Sequence, residues 1–231
     1  MQIASILKKV MMAVTGLLLV GFLVTHLAGN QFIYFGDKAF NDYAAFLESK
    51  PALVYSAETA LLAIFLVHIY LAVRVTLQNK GARPLNYAER KTAGESTFSS
   101  RTMLITGVIV LAFIIMHVLQ FKFGNKTGTQ LGEGGLWWLV VVKTFQDPMY
   151  VAIYVVAMMA LGFHISHGIG SAFQSLGLFS QHRRTVRLIG CTIGWILALG
   201  FLAIPVYAFV AKPTVSTAPI TESKPGQTAL R

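Results

Sequence analysis

Five stretches of this chain carry almost no charge: Val10 to Gly36, Thr59 to Val73, Thr102 to Phe121, Pro148 to Gln181 and Leu188 to Ala211. A hydrocarbon layer about 30 Å thick is crossed by about 20 apolar helical residues. Inside that layer a helix satisfies every backbone N–H and C=O within its own segment, which an isolated strand cannot do. The second stretch reaches the required length once a few flanking residues are added. The pattern predicts an all-α integral membrane protein with five transmembrane helices, spanning residues 1–211. A tail at 212–231, rich in Pro, Thr and Ser with little to bury, is expected to lack fixed structure. A soluble globular domain is excluded, since 12% of the residues are charged where about 25% is usual.

The net charge of +10 does not point to nucleic acid, because the basic residues flank apolar spans instead of forming one patch with aromatic or polar readers. With the amino terminus in the cytoplasm, Lys8, Lys9, Arg74, Lys80, Arg83, Arg90, Lys91, Arg101, Arg183, Arg184 and Arg187 fall on one side. The positive-inside rule then places the carboxyl terminus outside, in a multi-pass protein of a bacterial-type inner (cytoplasmic) membrane. Lys8 and Lys9 ahead of an apolar run resemble a secretory signal, but the run is too long and no small-x-small site follows Leu27, so it reads as a retained first helix.

Aromatic residues between Gln31 and Lys50 suit a short helix at the outer membrane boundary. A glycine-rich turn, Gly124 to Gly135, leads to Trp137 and Trp138 as an aromatic anchor. The single cysteine, Cys191, excludes a disulfide framework, a CxxC pair and covalent CxxCH haem attachment. No repeat of fixed period is evident beyond one recurring arrangement, a histidine in each of four helices.

An intramembrane histidine is a functional hypothesis by default, although a lone one serves equally as a helix–helix hydrogen-bonding residue. Counting about 1.5 Å per residue from the membrane edge, His26 and His117 lie roughly 24–25 Å from the cytoplasmic side, near the outer face. His68 and His164, on helices running the other way, lie roughly as far from the outer side. Two pairs at two depths on four helices match what two bis-histidine haems stacked in the bundle require, His26 with His117 outside and His68 with His164 inside. Spacing leaves His164 and His167 as alternatives, since three residues separate them. His182, beside Arg183 and Arg184, reads as a solvated surface residue. Gly21, Gly29, Gly107, Gly162, Gly168 and Gly170 suit either close macrocycle approach or ordinary helix packing.

Several segments strengthen the case: Thr25-His26-Leu27 with Asn30-Gln31-Phe32, Val67-His68-Ile69-Tyr70, Met116-His117-Val118, and Gly162-Phe163-His164-Ile165-Ser166. In these the chain resembles the di-haem cytochrome b membrane-anchor subunit of type B succinate:quinone oxidoreductases (succinate dehydrogenase / fumarate reductase). The resemblance covers residues 1 to 211. It implies two haem b groups on His26, His68, His117 and His164, with His164 as the ligand over His167, and a quinone, menaquinone foremost, as redox partner. It also implies a flavoprotein subunit carrying FAD and an iron–sulfur subunit docked on the cytoplasmic side. That chemistry is absent from this chain, which has no dinucleotide fingerprint and no cysteine cluster.

Glu58 is the acidic residue within a span and is a candidate for protonating the quinone; its competing role is to complement the positive amino end of its helix. The glutamate that some fumarate-reducing relatives carry two residues before the fourth-helix ligand is Gly162 here, which puts that proton route in doubt. Arg74 and Arg101 are candidates for the inner propionates, and Lys122, Asn30 and Gln31 for the outer ones. Two other readings of buried histidines are a cytochrome b subunit of a hydrogenase or formate dehydrogenase, and a proton-coupled transporter.

Overall fold

A computed structural model describes residues 2–81, 98–124 and 137–213. They form α1 (Gln2–Asn30), α2 (Asp37–Glu48), α3 (Pro51–Gly81), α4 (Phe98–Phe121), α5 (Trp137–Thr144), α6 (Pro148–Ser175) and α7 (Arg183–Ala211), with 3-10 turns at Gln31–Phe35 and Ser180–His182. Among the described residues there is no strand. Helices α1, α3, α4, α6 and α7 are long and apolar enough to cross a membrane, so the chain is a multi-pass membrane protein. The loop bases Arg83, Arg90 and Lys91, the glycines from Gly128 to Gly135, and residues 214–231 lie outside the described residues, as do the side chains of Lys80 and Arg101.

The helices outrun their apolar cores. The charge-poor stretch Thr59 to Val73 sits in a helix running from Pro51 to Gly81, because a helix whose backbone is already bonded continues into the polar boundary without penalty. Elsewhere local chemistry sets the ends. Asp147 caps α6 by accepting from the Met149 N–H at 2.8 Å, with Pro148 next to it, where the missing proline N–H costs nothing. At the other end Gly177 takes φ +71°, and the Leu178 N–H reaches Phe173 O at 3.0 Å while Gly177 N–H reaches Gln174 O at 3.1 Å. Those two bonds make a Schellman stop that turns the chain straight into α7.

Helix packing runs α3 to α1 to α6 to α4, with α7 laid along α6. We call the end where α1 begins the near face and the opposite end the far face. The α6–α7 seam is built from small residues. An added Cβ at Gly194 would lie 2.7 Å from Ser166 Oγ and 2.8 Å from its backbone N, and one at Gly190 would lie 3.1 Å from Ser166 O. Gly162 likewise faces Trp195 and Ala198 of α7. This is the small-residue packing of membrane helices, in which close backbone approach replaces the hydrophobic driving force available in water.

At the far face the Gln31–Lys50 segment contains the expected short helix, α2, following a 3-10 turn. Trp138, read from sequence as an aromatic anchor, is instead only 6% exposed and packs with Ile33, Phe145, Tyr154 and Ile204. The reason is α5, an eight-residue helix too short for an apolar-run criterion, whose Val140, Val141 and Val142 are buried. Asn41 of α2 accepts the Trp138 N–H at 2.9 Å, and Trp137 Nε1 donates to Glu48 at 2.6 Å. The two short helices thereby close the far end of the bundle.

Candidate functional site

Helices α1 and α4 carry one pattern twice. Thr15-Gly16, Phe22 and His26 stand at the same spacing as Thr106-Gly107, Phe113 and His117. Eleven residues are close to three helical turns, so in each helix the threonine and the histidine share a face, about 16 Å apart along the axis. Each helix therefore addresses two levels of the bundle. This repeat escaped the sequence reading because it is a pattern of a few positions on two separated helices, set in interchangeable apolar residues.

At the far level the His26 and His117 rings lie 6.0 Å apart, centroid to centroid, with their planes at 88°. Their helices are not among the closely packed pairs, so the rings meet across the interior of the bundle. Phe22 stacks on His26 at 5.3 Å and Phe113 lies tilted against His117 at 5.6 Å, one turn earlier in each helix as the repeat requires. Phe201 of α7 closes on His26 at 5.7 Å. His117 Nδ1 is 2.9 Å from the Tyr154 hydroxyl, which itself donates to Gln120 Oε1 at 3.3 Å. The Asn30 amide donates to the His26 carbonyl at 2.8 Å and stands 3.5 Å from its Nε2.

At the near level the threonines take over. Thr15 Oγ1 is 3.2 Å from His68 Nδ1, and Thr106 Oγ1 is 3.4 Å from His164 Nδ1. Each hydroxyl is within 3.1 Å of carbonyls three and four residues back in its own helix. Its proton is thereby committed, so its lone pairs accept from the imidazole N–H. The neighbouring glycines make room: a Cβ at Gly16 would sit 3.4 Å from His68 Cε1, and one at Gly107 3.3 Å from His164 Cε1. Of the two histidines that spacing left as alternatives, His164 has its Nδ1 beside the Thr106 hydroxyl of α4.

Of the six glycines considered from sequence, Gly107 alone abuts a histidine. Gly162 faces Trp195, Gly29 lies under Tyr43, Gly168 and Gly170 approach Met103 and the Arg187 backbone, and Gly21 has nothing within 4 Å. Gly16, which the sequence reading passed over, is the second cradle; the Thr-Gly repeat was the signal that would have found it.

The donor set fits haem iron. Two imidazoles bonded at about 2.0–2.1 Å to one metal ion between them would have centroids about 6.4 Å apart, close to the 6.0 Å between His26 and His117. With Nδ1 committed on His68, His117 and His164, Nε2 is the nitrogen left for a metal. No cluster of three or more His, Cys, Asp or Glu suited to a bare metal ion occurs among the described residues.

The remaining polar candidates sit at the faces. Glu58 forms an ion pair with Lys122 at 2.5 Å, both side chains nearly half exposed, with Lys122 also 5.7 Å from the Tyr55 ring. Arg74 and His182 are exposed, while Gln31 Nε2 is buried without a hydrogen-bond partner.

The chain is similar to the succinate dehydrogenase cytochrome b558 subunit of Bacillus subtilis (strain 168), 26% identical over 194 residues that cover 82% of this chain and 89% of that one. No solved structure matches. The model of the succinate dehydrogenase/fumarate reductase transmembrane subunit family matches residues 79–204, more than half of the sequence and including His117 and His164. This match, over a chain with five helices long and apolar enough to cross a membrane, establishes that the chain belongs to the succinate dehydrogenase/fumarate reductase transmembrane subunit family.

Proposed function

We propose that the chain anchors a succinate dehydrogenase or fumarate reductase complex in the membrane and passes electrons between its iron–sulfur subunit and a quinone, menaquinone foremost. The observation that carries this reading is the meeting of His26 and His117 at 6.0 Å from helices that do not otherwise pack closely. His26 and His117 would hold a haem b at the far level, and His68 and His164 a second at the near level. Bound there, each haem supplies a one-electron iron couple. The chain's own residues do the rest. The four imidazoles would hold the two carriers, one at each level of the bundle. Thr15, Thr106 and Tyr154 hold three of the rings in the Nδ1–H tautomer and stop them turning. The apolar spans exclude water from the path.

The near face, where Lys8, Lys9, Arg183, Arg184 and Arg187 lie, is taken as cytoplasmic by the positive-inside rule. It is the side on which the iron–sulfur subunit would dock, with the flavoprotein subunit carrying FAD beyond it. Glu58, ion-paired with Lys122, is the proposed proton-exchanging carboxyl for quinone chemistry at the far face. Residues 1–211 form the functional domain in this reading.

The deciding experiment is a reduced-minus-oxidised spectrum with haem quantification on the purified complex, repeated for His26→Ala and His68→Ala. Two non-covalent b haems per chain, both reduced by succinate, with a different one lost in each variant, are the expected result. Absence of haem from the wild-type complex overturns the reading, and haems that succinate leaves oxidised point to a different redox partner.

A further inference from the structure

The two histidine pairs differ in what stands behind them. At the near level both rings donate from Nδ1 to threonine hydroxyls whose protons are committed to their own helix, so the two ligands are alike. At the far level His117 donates into a longer chain through Tyr154 to Gln120. Among the described residues His26 Nδ1 has no comparable contact. Tyr154 and Gln120 are each 6% exposed, and Phe113 and Phe145 pack edge-on against the Tyr154 ring at 4.8 Å each. The phenol is therefore held at one angle.

The direction of the chain follows from its far end. Because the Tyr154 O–H points to Gln120 Oε1, the phenolic oxygen presents lone pairs to His117, so Nδ1 is the donor and Nε2 is free of hydrogen. A hydrogen bond accepted from Nδ1–H makes the imidazole a more basic ligand. A more basic ligand favours the oxidised, more positive iron, and the onward bond to Gln120 strengthens the effect by polarising the phenol.

Resting on the haem reading above, we propose that Tyr154, backed by Gln120, is the positioning residue that sets the potential of the far-level haem independently of the near-level one. The two carriers thereby differ although both are bis-histidine. Tyr154 touches neither the metal position nor a quinone in this scheme. It acts only through His117.

The test is a redox titration of both b haems in the purified complex, with low-temperature electron paramagnetic resonance of the oxidised haems, for wild type, Tyr154→Phe and Gln120→Leu. In Tyr154→Phe the far-level haem, identified as the one lost in His117→Ala, is expected to become easier to reduce by about tenfold in its equilibrium constant, about 59 mV for one electron. Its resonance signal shifts while the near-level haem keeps both values. Gln120→Leu, which leaves the phenol in place, shifts the same haem in the same direction by less, and decides the matter if Tyr154→Phe does not assemble. Two haems with unchanged potentials, or an equal shift in both, overturn the proposal while leaving the two-haem reading intact. A wild-type complex without haem overturns the reading beneath it.

Discussion

Helices α6 and α7 are packed very differently from α3 and α4, although all four are long and apolar enough to cross a membrane. In its most apolar stretch α6 has 44% of its residues buried and α7 33%, against 6% for both α3 and α4. The first pair is held by backbone approaching backbone over Gly162, Gly190 and Gly194. The second pair each leans on one principal neighbour, α3 on α1 and α4 on α6. The lesson is a division of labour. The α6–α7 pair is stabilised by direct helix contact, and α3 and α4 keep most of their surface free of contact within the chain.

That contrast is most severely tested at the seam. Gly194→Leu drives a side chain into Ser166 and is expected to cost about 3 kcal/mol, the upper end for overpacking, read as a fall in the unfolding midpoint in detergent. The same change at Gly21, which has open space around it, should leave the midpoint nearly unmoved. If both glycines tolerate leucine equally, the seam is not what holds α6 to α7.

Cofactor withdrawal tests the other half. In protein made without haem, amide exchange in α3 and α4 is expected to rise by about tenfold, or about 1.4 kcal/mol of lost protection, while the α6–α7 seam keeps its rates. Uniform loosening throughout the bundle would erase the distinction. Smaller still is the threonine pair: Thr15→Val and Thr106→Val each leave an imidazole N–H unanswered, at about 1 kcal/mol apiece. Haem retention during denaturant titration should show the near-level haem weakened to a similar degree by either change, and a one-sided effect would break the equivalence of the two Thr-Gly motifs. The smallest effect belongs to Gly16→Ala and Gly107→Ala. There the new methyl meets His68 or His164 at 3.4 and 3.3 Å, and better helix propensity offsets part of the crowding, for a net change under about 1 kcal/mol in the same titration.

Much of this protein is legible in one dimension because the bilayer is a severe solvent. Charge-free runs identify α1, α3, α4, α6 and α7, and alternating direction brings His26 level with His117 and His68 level with His164 by counting alone. What escaped was decided sideways, between helices. The apolar sequence of α5 looked like part of a loop ending in an anchor, yet Trp138 is buried because α2 and the end of α7 cover it. Gly162 and Gly170 looked equally suited to a macrocycle and to a neighbour, and only the approach of α7 chose the neighbour. Tyr154 drew no attention as one aromatic among many in an apolar helix until its hydroxyl was found beside His117.

The amino-acid sequence on its own determined the number of spans, their direction and the levels at which polar rings sit, because helical rise and the cost of bare backbone in hydrocarbon act along the chain. Tertiary structure alone decided which face each helix shows to which neighbour. That choice put Thr15 under His68, Thr106 under His164 and Tyr154 behind His117, since contacts a few ångströms long depend on the relative rotation of separate helices, which no linear spacing records.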